Sequence, residues 1–329
     1  MASPFVIVPR GPADSPERLD LDPAFGDLAV HAADPRVTDL FLNGAGGLFA
    51  DRGAGVEPVP GWTASEREVR ELAVRLVALG GRHLDDQAPC VDVRLASGVR
   101  VHAVLAPVAT RGTAVSVRIP RVRAADLDDL ARLGAIDAAQ RGWLERIVVA
   151  RKNVLITGGT GTGKTTLLAA LLAHVPPRER IVTIEDVAEL RPRHPHHVSL
   201  EARQPNLEGV GAISVARLVR ESLRMRPDRL VVGECRGEEI RDLLTALNTG
   251  HDGGAGTLHA SGLADVPARL EALGALAGMD PPALARQAVS AFASVLHLVR
   301  ASGGERRLAQ VGELRLDGEH LGIEEVRPW

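Results

Sequence analysis

The run Val154-Leu155-Ile156-Thr157-Gly158-Gly159-Thr160-Gly161-Thr162-Gly163-Lys164-Thr165-Thr166 decides how this chain is read. Its first four residues have the apolar, β-branched character of a buried strand. Residues 167–174 are Leu- and Ala-rich and read as a helix. Between them lies GxxxxGK[ST], in the strand-to-helix context that gives this pattern its meaning. Glycines let the backbone wrap a phosphate with its N–H groups turned inward. The helix N-terminus adds the positive end of its dipole. Lys164 supplies a point charge for the β- and γ-phosphates, and the Thr165 hydroxyl is a ligand for Mg²⁺. In 329 residues with 34 Gly and two lysines, Lys152 and Lys164, composition alone yields about 0.002 such matches. A nucleotide site at Gly158, Gly159, Thr160, Gly161, Thr162, Gly163, Lys164, Thr165 and Thr166 is therefore expected.

Downstream, apolar strands alternate with helical stretches, the pattern of a parallel α/β sheet covered on both faces. Two of these strands end in carboxylates. Ile181-Val182-Thr183-Ile184 runs into Glu185 and Asp186, with Glu189 close behind, and Leu230-Val231-Val232-Gly233 runs into Glu234. Ligands of open α/β sheets sit at the carboxyl ends of strands, so Glu185, Asp186 and Glu234 are expected to face the nucleotide. On spacing alone Glu234 is either a general base or a metal-side ligand. Next come His251 and His259, eight residues apart, with four glycines in residues 250–256. Metal binding wants more ligands or tighter spacing. The segment reads as a flexible phosphate-sensing loop, with an ordinary surface loop as the plain alternative.

Upstream, Ser65 and Glu68 form a capping-box pattern ahead of an amphipathic helix that Gly80-Gly81 ends. Residues 37–42 and 48–51 read as strands around the turn at Asn43-Gly44. Three further strands alternate with period two: Val91, Val93 and Leu95 against Asp92 and Arg94; Val99, Val101, Ala103 and Leu105 against Arg100 and His102; Val115, Val117 and Ile119 against Ser116 and Arg118. The result is a small α+β domain over residues 25–120, its polar sheet face carrying Arg94, Arg100 and Arg118. Residues 1–24 read as a flexible lead, 121–136 as a patternless linker, and 137–329 as the P-loop domain, beginning with a helix capped by Asp137. The expected fold class is α/β, with the P-loop domain preceded by the smaller α+β domain.

Composition narrows the function classes. Apolar residues make up 45% and charged residues 25%, as in globular proteins. Net charge is −3, which gives no global nucleic-acid signature. No window approaches 18 uncharged apolar residues, and the first residues lack a signal-peptide pattern. Cys90 and Cys235 stand far apart with no CxxC pair, so reduced thiols are expected. The cations are nearly all arginine, a bias that carries no functional information. For that reason Arg224, Arg226 and Arg236, which flank the Glu234 strand, stay unassigned.

Taken in order, the blocks GGTGTGKTT (158–166), TIEDVAEL (183–190), LRMRPDRLVVGECRG (223–237) and TGHDGGAGTLHA (249–260) resemble the type II/type IV secretion ATPase superfamily. They look most like its tight-adherence (Flp) pilus assembly branch. The likeness extends over DVRLASGVRVHAVLAPV (92–108) and AVSVRIPR (114–121), hence roughly residues 30–315. It implies a RecA-like ATPase domain working with ATP and Mg²⁺. Glu185, Asp186 and Glu189 match the family's acidic box near Mg²⁺ and water. Glu234 matches the atypical Walker B glutamate, the implied base. His251 and His259 match the histidine box, and Arg100 and Arg118 fall where relatives send arginines to the phosphates. The resemblance further implies a homo-hexamer at the cytoplasmic face of a membrane, seated on a polytopic inner-membrane platform protein. No specific nucleic acid is expected. A type IV secretion or conjugation ATPase is the alternative, and a RecA-like nucleic-acid motor the more distant one. Two departures stand out. The chain cannot carry the cysteine-rich zinc module of some relatives, and only some 25–30 residues precede its core.

Overall fold

In the computed structural model of the chain, residues 21–53, 55–95, 97–119, 126–203, 210–301 and 304–329 are described. Contacts divide the chain into two compact units, Met1–Arg123 and Ala124–Trp329.

The N-terminal unit contains α1 (Leu28–Ala32), β1 (Asp39–Asn43), β2 (Leu48–Asp51), β3 (Val56–Pro58), α2 (Glu66–Leu79), β4 (Cys90–Arg94), β5 (Arg100–Val104) and β6 (Ala114–Arg118). Its six strands form an antiparallel sheet in the order β3-β2-β1-β6-β5-β4. The expected capping box starts α2: Glu68 N–H donates to the Ser65 hydroxyl, and Ser65 N–H donates back to Glu68 Oε2 at 2.7 Å. Leu72, Leu76 and Val77 of α2 are buried with Val91, Val93, Val101, Val115 and Val117 of the sheet in one core. The period-two alternation therefore reports a sheet with one covered face. At Gly80, the C-cap of α2, the chain runs close against that sheet, since a Cβ there would lie 2.5 Å from Val93 Cβ. Of the segment read as a flexible lead, residues 1–20 lie outside the described residues. Pro23–Phe25 forms a 3₁₀ turn whose Phe25 is buried.

The C-terminal unit comprises α3 (Leu127–Arg132), α4 (Ala138–Val149), β7 (Val154–Gly158), α5 (Lys164–Ala173), β8 (Ile181–Glu185), β9 (His197–Glu201), α6 (Val215–Ser222), β10 (Arg229–Val232), α7 (Glu239–Asn248), β11 (Ala255–His259), α8 (Val266–Leu276), α9 (Pro281–Ala291), β12 (Ser294–Arg300), β13 (Arg306–Asp317) and β14 (His320–Val326). Eight strands run in the order β14-β13-β12-β7-β11-β10-β8-β9. Those from β12 to β9 are parallel, and β13 and β14 add an antiparallel hairpin at one edge. Neighbouring residues of one strand enter different cores. Leu155 and Val232 pack with α6, α7, α8 and α9, whereas Val154, Ile156 and Val231 pack with α3, α4 and α5. Such two-sided burial explains why these strands read as continuous apolar runs.

Two expectations need correction. The patternless linker at residues 121–136 is patterned in its second half. Asp126 and Asp129 form a reciprocal cap at the start of α3, and Leu127, Leu130 and Ile136 are buried in the C-terminal unit's core. Residues 121–125 lie outside the described residues. The glycine-rich segment around His251 and His259 is not one flexible loop, because Ala255–His259 is a buried strand inside the sheet. Its glycines make room. A Cβ on Gly254 would meet Leu247 Cδ2 at 2.4 Å, and one on Gly256 would meet Leu243 Cδ2 at 3.2 Å.

Candidate nucleotide site

The site lies at the carboxyl ends of the parallel strands. β7 is flanked by β12 and β11, with Gly158 opposite Leu298 on one side and His259 on the other. Gly158 has φ +147°, and a Cβ on it would sit 2.5 Å from the Leu298 carbonyl oxygen. Only glycine fits where the chain leaves this strand. Gly163, at φ +95°, precedes α5 without any side-chain cap, so the first N–H groups of α5 remain available to an anion.

Lys164 opens α5 and is buried. Its ammonium folds back on the loop, donating to the carbonyls of Gly158 at 3.0 Å and Gly159 at 2.9 Å. Burial pushes its pKa below the usual lysine value, and the Glu234 carboxylate partly restores it. The Thr162 hydroxyl donates to the Gly159 carbonyl at 2.9 Å and braces the turn. Thr165, half-buried, and Thr166, exposed, lie in the first turn of α5.

Glu234 is set by the end of β10. Gly233 N–H donates to Ile184 O and Cys235 N–H to Thr257 O, each at 2.8 Å. The Thr257 hydroxyl donates to Gly233 O at 2.6 Å. These bonds aim the Glu234 carboxylate at the P-loop edge. Its Oε1 lies 3.1 Å from His259 Nε2, and its Oε2 accepts from Arg236 Nη2 at 2.8 Å. His259 Nε2 also stands 3.4 Å from Lys164 Nζ. The single Nε2 can hydrogen-bond one of the two at a time, donating to Glu234 when protonated or accepting from Lys164 when not. Burial, then the Lys164 charge, lowers the His259 pKa and favours the neutral ring. Lys164, His259, Glu234 and Arg236 thus form one chain of polar contacts across the carboxyl ends of β7, β11 and β10.

The acidic box divides. Asp186 and Glu189 are exposed, and Asp186 Oδ2 lies 3.9 Å from Arg236 Nη1. Glu185 is buried, and its carboxylate accepts backbone N–H groups: Glu189 at 3.0 Å and Leu190 at 3.1 and 3.3 Å. It braces the loop that presents Asp186 and Glu189. A Cβ on Gly233 would meet Glu185 Cγ at 2.4 Å, so the glycine ahead of Glu234 is there to clear Glu185.

His251 is not brought to the P-loop within this chain. It precedes the opposite end of β11, with Nδ1 3.2 Å from the Ala246 carbonyl at the end of α7. Four steps of strand, about 13 Å, separate Ala255 from His259. Arg236, left aside in the sequence because arginine is so common, is the functional candidate that residue reading missed. Its signal was its position two residues after Glu234. The N-terminal unit carries its own array. Register places Arg94 opposite Arg100 and Arg100 opposite Arg118, three arginines in a row on the polar face of the sheet. Arg100 Nη2 donates to Asp92 Oδ2 at 3.2 Å. Asp39 stands opposite Arg118 in the register, so acidic neighbours accompany the row.

Among the described residues no three His, Cys, Asp or Glu side chains converge as a metal site. A cation that arrives on phosphates takes few protein ligands, for Mg²⁺ one or two carboxylates with most of its waters kept. Thr165 and the exposed Asp186 and Glu189 fit that donor set, whereas Glu185 is occupied with backbone amides. Cys235 is buried, and burial raises its thiol pKa above the ordinary value. Cys90 is exposed and belongs to the other unit.

The chain matches the Type II/IV secretion system protein family over residues 30–318. It belongs to that family. It is 52% identical over 284 residues to a putative conjugal transfer protein of Mycobacterium tuberculosis, covering 84% of this chain and 81% of the relative. It is 32% identical over 296 residues to the conjugal transfer protein TrbB of Rhizobium radiobacter, covering 88% of each. Among solved structures it is similar to the pilus retraction motor PilT with bound ADP, at a TM-score of 0.62, 20% identity and coverage of 92% of this chain and 82% of that one. It is also similar to the Legionella pneumophila ATPase DotB, at a TM-score of 0.58, 22% identity and coverage of 90% and 81%. These two likenesses establish the fold, a RecA-like domain preceded by a smaller one. Membership of this family, with a P-loop, makes the chain an ATP-hydrolysing P-loop enzyme.

Proposed function

We propose that the chain hydrolyses ATP, bound with Mg²⁺, and converts the energy into mechanical work on a protein-export machine. The observation that carries this reading is the contact chain Lys164, His259, Glu234 and Arg236 along the P-loop edge. An incoming triphosphate competes with the Gly158 and Gly159 carbonyls for Lys164. Glu234, relieved of Arg236, orients the attacking water and takes its proton. His259 Nε2 stands within reach of both Lys164 and Glu234, so drawing Lys164 onto the phosphates leaves the ring to Glu234. Mg²⁺, held through Thr165 with Asp186 and Glu189, would neutralise phosphate charge.

The working unit in this reading is a homo-hexameric ring at the cytoplasmic face of the membrane, docked on a polytopic inner-membrane platform protein. No helix of the described residues is long and apolar enough to cross a membrane. Arg100 and Arg118 act as arginine fingers toward the phosphates, arriving from the same chain or a neighbour in the ring. The relatives named as conjugal transfer proteins favour the type IV secretion and conjugation branch. The four sequence blocks favour tight-adherence pilus assembly as a second reading. The test is the rate of ATP hydrolysis per chain as a function of protein concentration, with assembly followed by light scattering. Turnover rising as hexamers form, and falling at least 10-fold in Arg100→Ala or Arg118→Ala without loss of assembly, supports the reading. A rate that is independent of concentration and of both arginines contradicts it.

A further inference from the structure

The residues that follow His251 are held one after another by side chains from outside their own segment. Arg151 Nη2 donates to the Asp252 carbonyl at 3.4 Å, and Arg229 Nη1 donates to the Gly253 carbonyl at 3.4 Å. Gly254 N–H donates to Asn153 Oδ1 at 2.9 Å, and Asn153 Nδ2 donates in turn to Ala291 O, at the end of α9, at 2.8 Å. Both arginines meet on one carboxylate: Glu179 Oε2 lies 2.6 Å from Arg229 Nε and 3.1 Å from Arg151 Nη1. Arg229 Nη2 also donates to Val148 O at 3.0 Å, and Arg151 Nη2 to Asp228 O at 2.7 Å. The network thus ties the end of α4 and the residues before β7, β8 and β11 to the start of β10, at the end of the sheet opposite the P-loop.

At its centre is a charge that water does not reach. The Arg229 side chain is 2% exposed, and arginine is almost never buried unless it is paired. An ion pair in such a place adds little stability over an apolar pair of the same size, but its directed bonds fix geometry. Here they fix the segment ahead of β11. Gly253 has φ +81°, and a Cβ on it would begin 2.6 Å from Arg229 Cζ, so glycine lets the chain lie directly on the guanidinium. His251 is held from the other side by α7. Its backbone N–H reaches the Ala246 carbonyl at 3.4 Å, and its Nδ1 stands 3.2 Å from the same oxygen. A carbonyl only accepts, so Nδ1 carries the proton, and Nε2 of the neutral ring is left as an acceptor.

A half-buried side chain fixed from both sides is placed with the precision that a functional contact needs. Its own P-loop, however, lies at the far end of β11. We propose that Arg229, Arg151 and Asn153, braced by Glu179, are positioning residues that hold His251 in one pose for a contact with a second copy of this chain in the ring. The contact is a hydrogen bond from a donor of the neighbouring copy to His251 Nε2. The proposal rests on the hexameric reading and adds to it the side chains that keep His251 in place. Because the network stands at the other end of the strands from the P-loop, its loss lowers turnover of the assembled chain and leaves nucleotide affinity alone.

The test is ATP turnover per chain at concentrations where the full chain is assembled, with assembly followed by light scattering and ADP affinity by calorimetry. Arg229→Met should assemble, bind ADP within about 2-fold of the parent and turn over about 10-fold more slowly, as should His251→Ala. The Arg229→Met/His251→Ala double variant should be no slower than either single variant by more than about 2-fold, because the arginine acts through the histidine. Arg229→Lys, which keeps a charge beside Glu179 and a donor for Gly253, should recover part of the rate. Arg151→Asn is the second probe should Arg229→Met fail to fold. Asparagine tolerates the positive φ of +54° at this position, and the loss of the guanidinium should slow the assembled chain about 3-fold. Parent turnover in Arg229→Met and Arg151→Asn, or in His251→Ala, overturns the proposal. So does a double variant whose loss is the product of the two single losses, which makes the arginine a structural residue acting apart from His251. Turnover of the parent that does not change on assembly removes the hexameric reading itself, and hydrolysis by Lys164→Ala removes the site.

Discussion

Replacing Glu185 by alanine separates a bracing role from a chemical one. Its buried carboxylate accepts the amides of Glu189 and Leu190 at 3.0–3.3 Å. Truncation to Ala leaves the buried Leu190 N–H without that acceptor, which costs about 1–3 kcal/mol, and the part-buried Glu189 N–H adds less because water can reach it. Removing a buried charge returns part of the cost, because the carboxylate no longer has to be desolvated. The net loss is about 1–3 kcal/mol. At about 2–4 °C per kcal/mol for a unit of this size, the melting temperature should fall by about 2–12 °C. Glu185→Gln keeps an acceptor oxygen for both amides and loses only the charge-assisted part, about 1 kcal/mol. The assay is thermal and urea unfolding of parent and both variants, together with ATP turnover at temperatures where all are folded. Loop bracing predicts the stability order parent, Gln, Ala, with turnover falling alongside order in the Asp186 loop. If Glu185→Ala melts within about 1 °C of the parent while turnover collapses, the bracing argument is wrong and Glu185 is itself the base or a metal ligand.

Other outcomes follow from the same geometry. Arg236→Ala removes the guanidinium that holds Glu234 Oε2, so kcat and KM should both shift while stability stays within about 0.5 kcal/mol, as for an exposed position; Arg236→Lys should recover part of the activity. His259→Ala should reduce turnover of the chain at every concentration. His251→Ala, remote from the P-loop, should affect turnover only where hexamers form, and equal losses at every concentration would refute its placement. Stability should fall on acidification from about pH 7 to 5. His297 is buried beside Thr157, 2.9 Å from its hydroxyl, and burial lowers its pKa below 6.5. Below that pH the unfolded chain takes up a proton that the folded chain refuses, so unfolding is favoured and the loss levels off once pH passes the folded-state value. His297→Gln should flatten this slope in melting curves, and an unchanged slope would remove His297 as its source.

What the sequence discloses follows from how local each signal is. The P-loop is written in consecutive residues, and the strand before it and the helix that Lys164 opens form where the sequence puts them. Alternation in Val91, Val93, Val99 and Val101 gave the covered face of the N-terminal sheet, because period two is a property of a single strand. The order of the parallel strands is non-local, so nothing in the sequence says that β11 lies between β7 and β10. That insertion separates His251 from His259: a glycine-rich segment hides where the strand begins, and the glycines proved to be packing positions against Leu247 and Leu243. The α3 cap was missed because its third position is Asp129 rather than Glu or Gln, and Leu127 and Leu130 are too few to show periodicity. Glu185 looked like a catalytic carboxylate since burial is invisible in sequence. Arg151, Arg229 and Arg236 were concealed by the abundance of arginine, and only contacts single them out.

The central claim is that Lys164 binds the phosphates while Glu234 acts on the water, within one site. Its most direct test is paired ATP titration and single-turnover hydrolysis of Lys164→Ala and Glu234→Gln in the full chain. Lys164→Ala should lose both nucleotide binding and hydrolysis. Glu234→Gln should bind ATP within a few-fold of the parent and lower kcat by about 100-fold or more. Parent-like hydrolysis in Lys164→Ala, or a Glu234→Gln variant that cannot bind ATP yet turns over normally at saturation, would contradict the account.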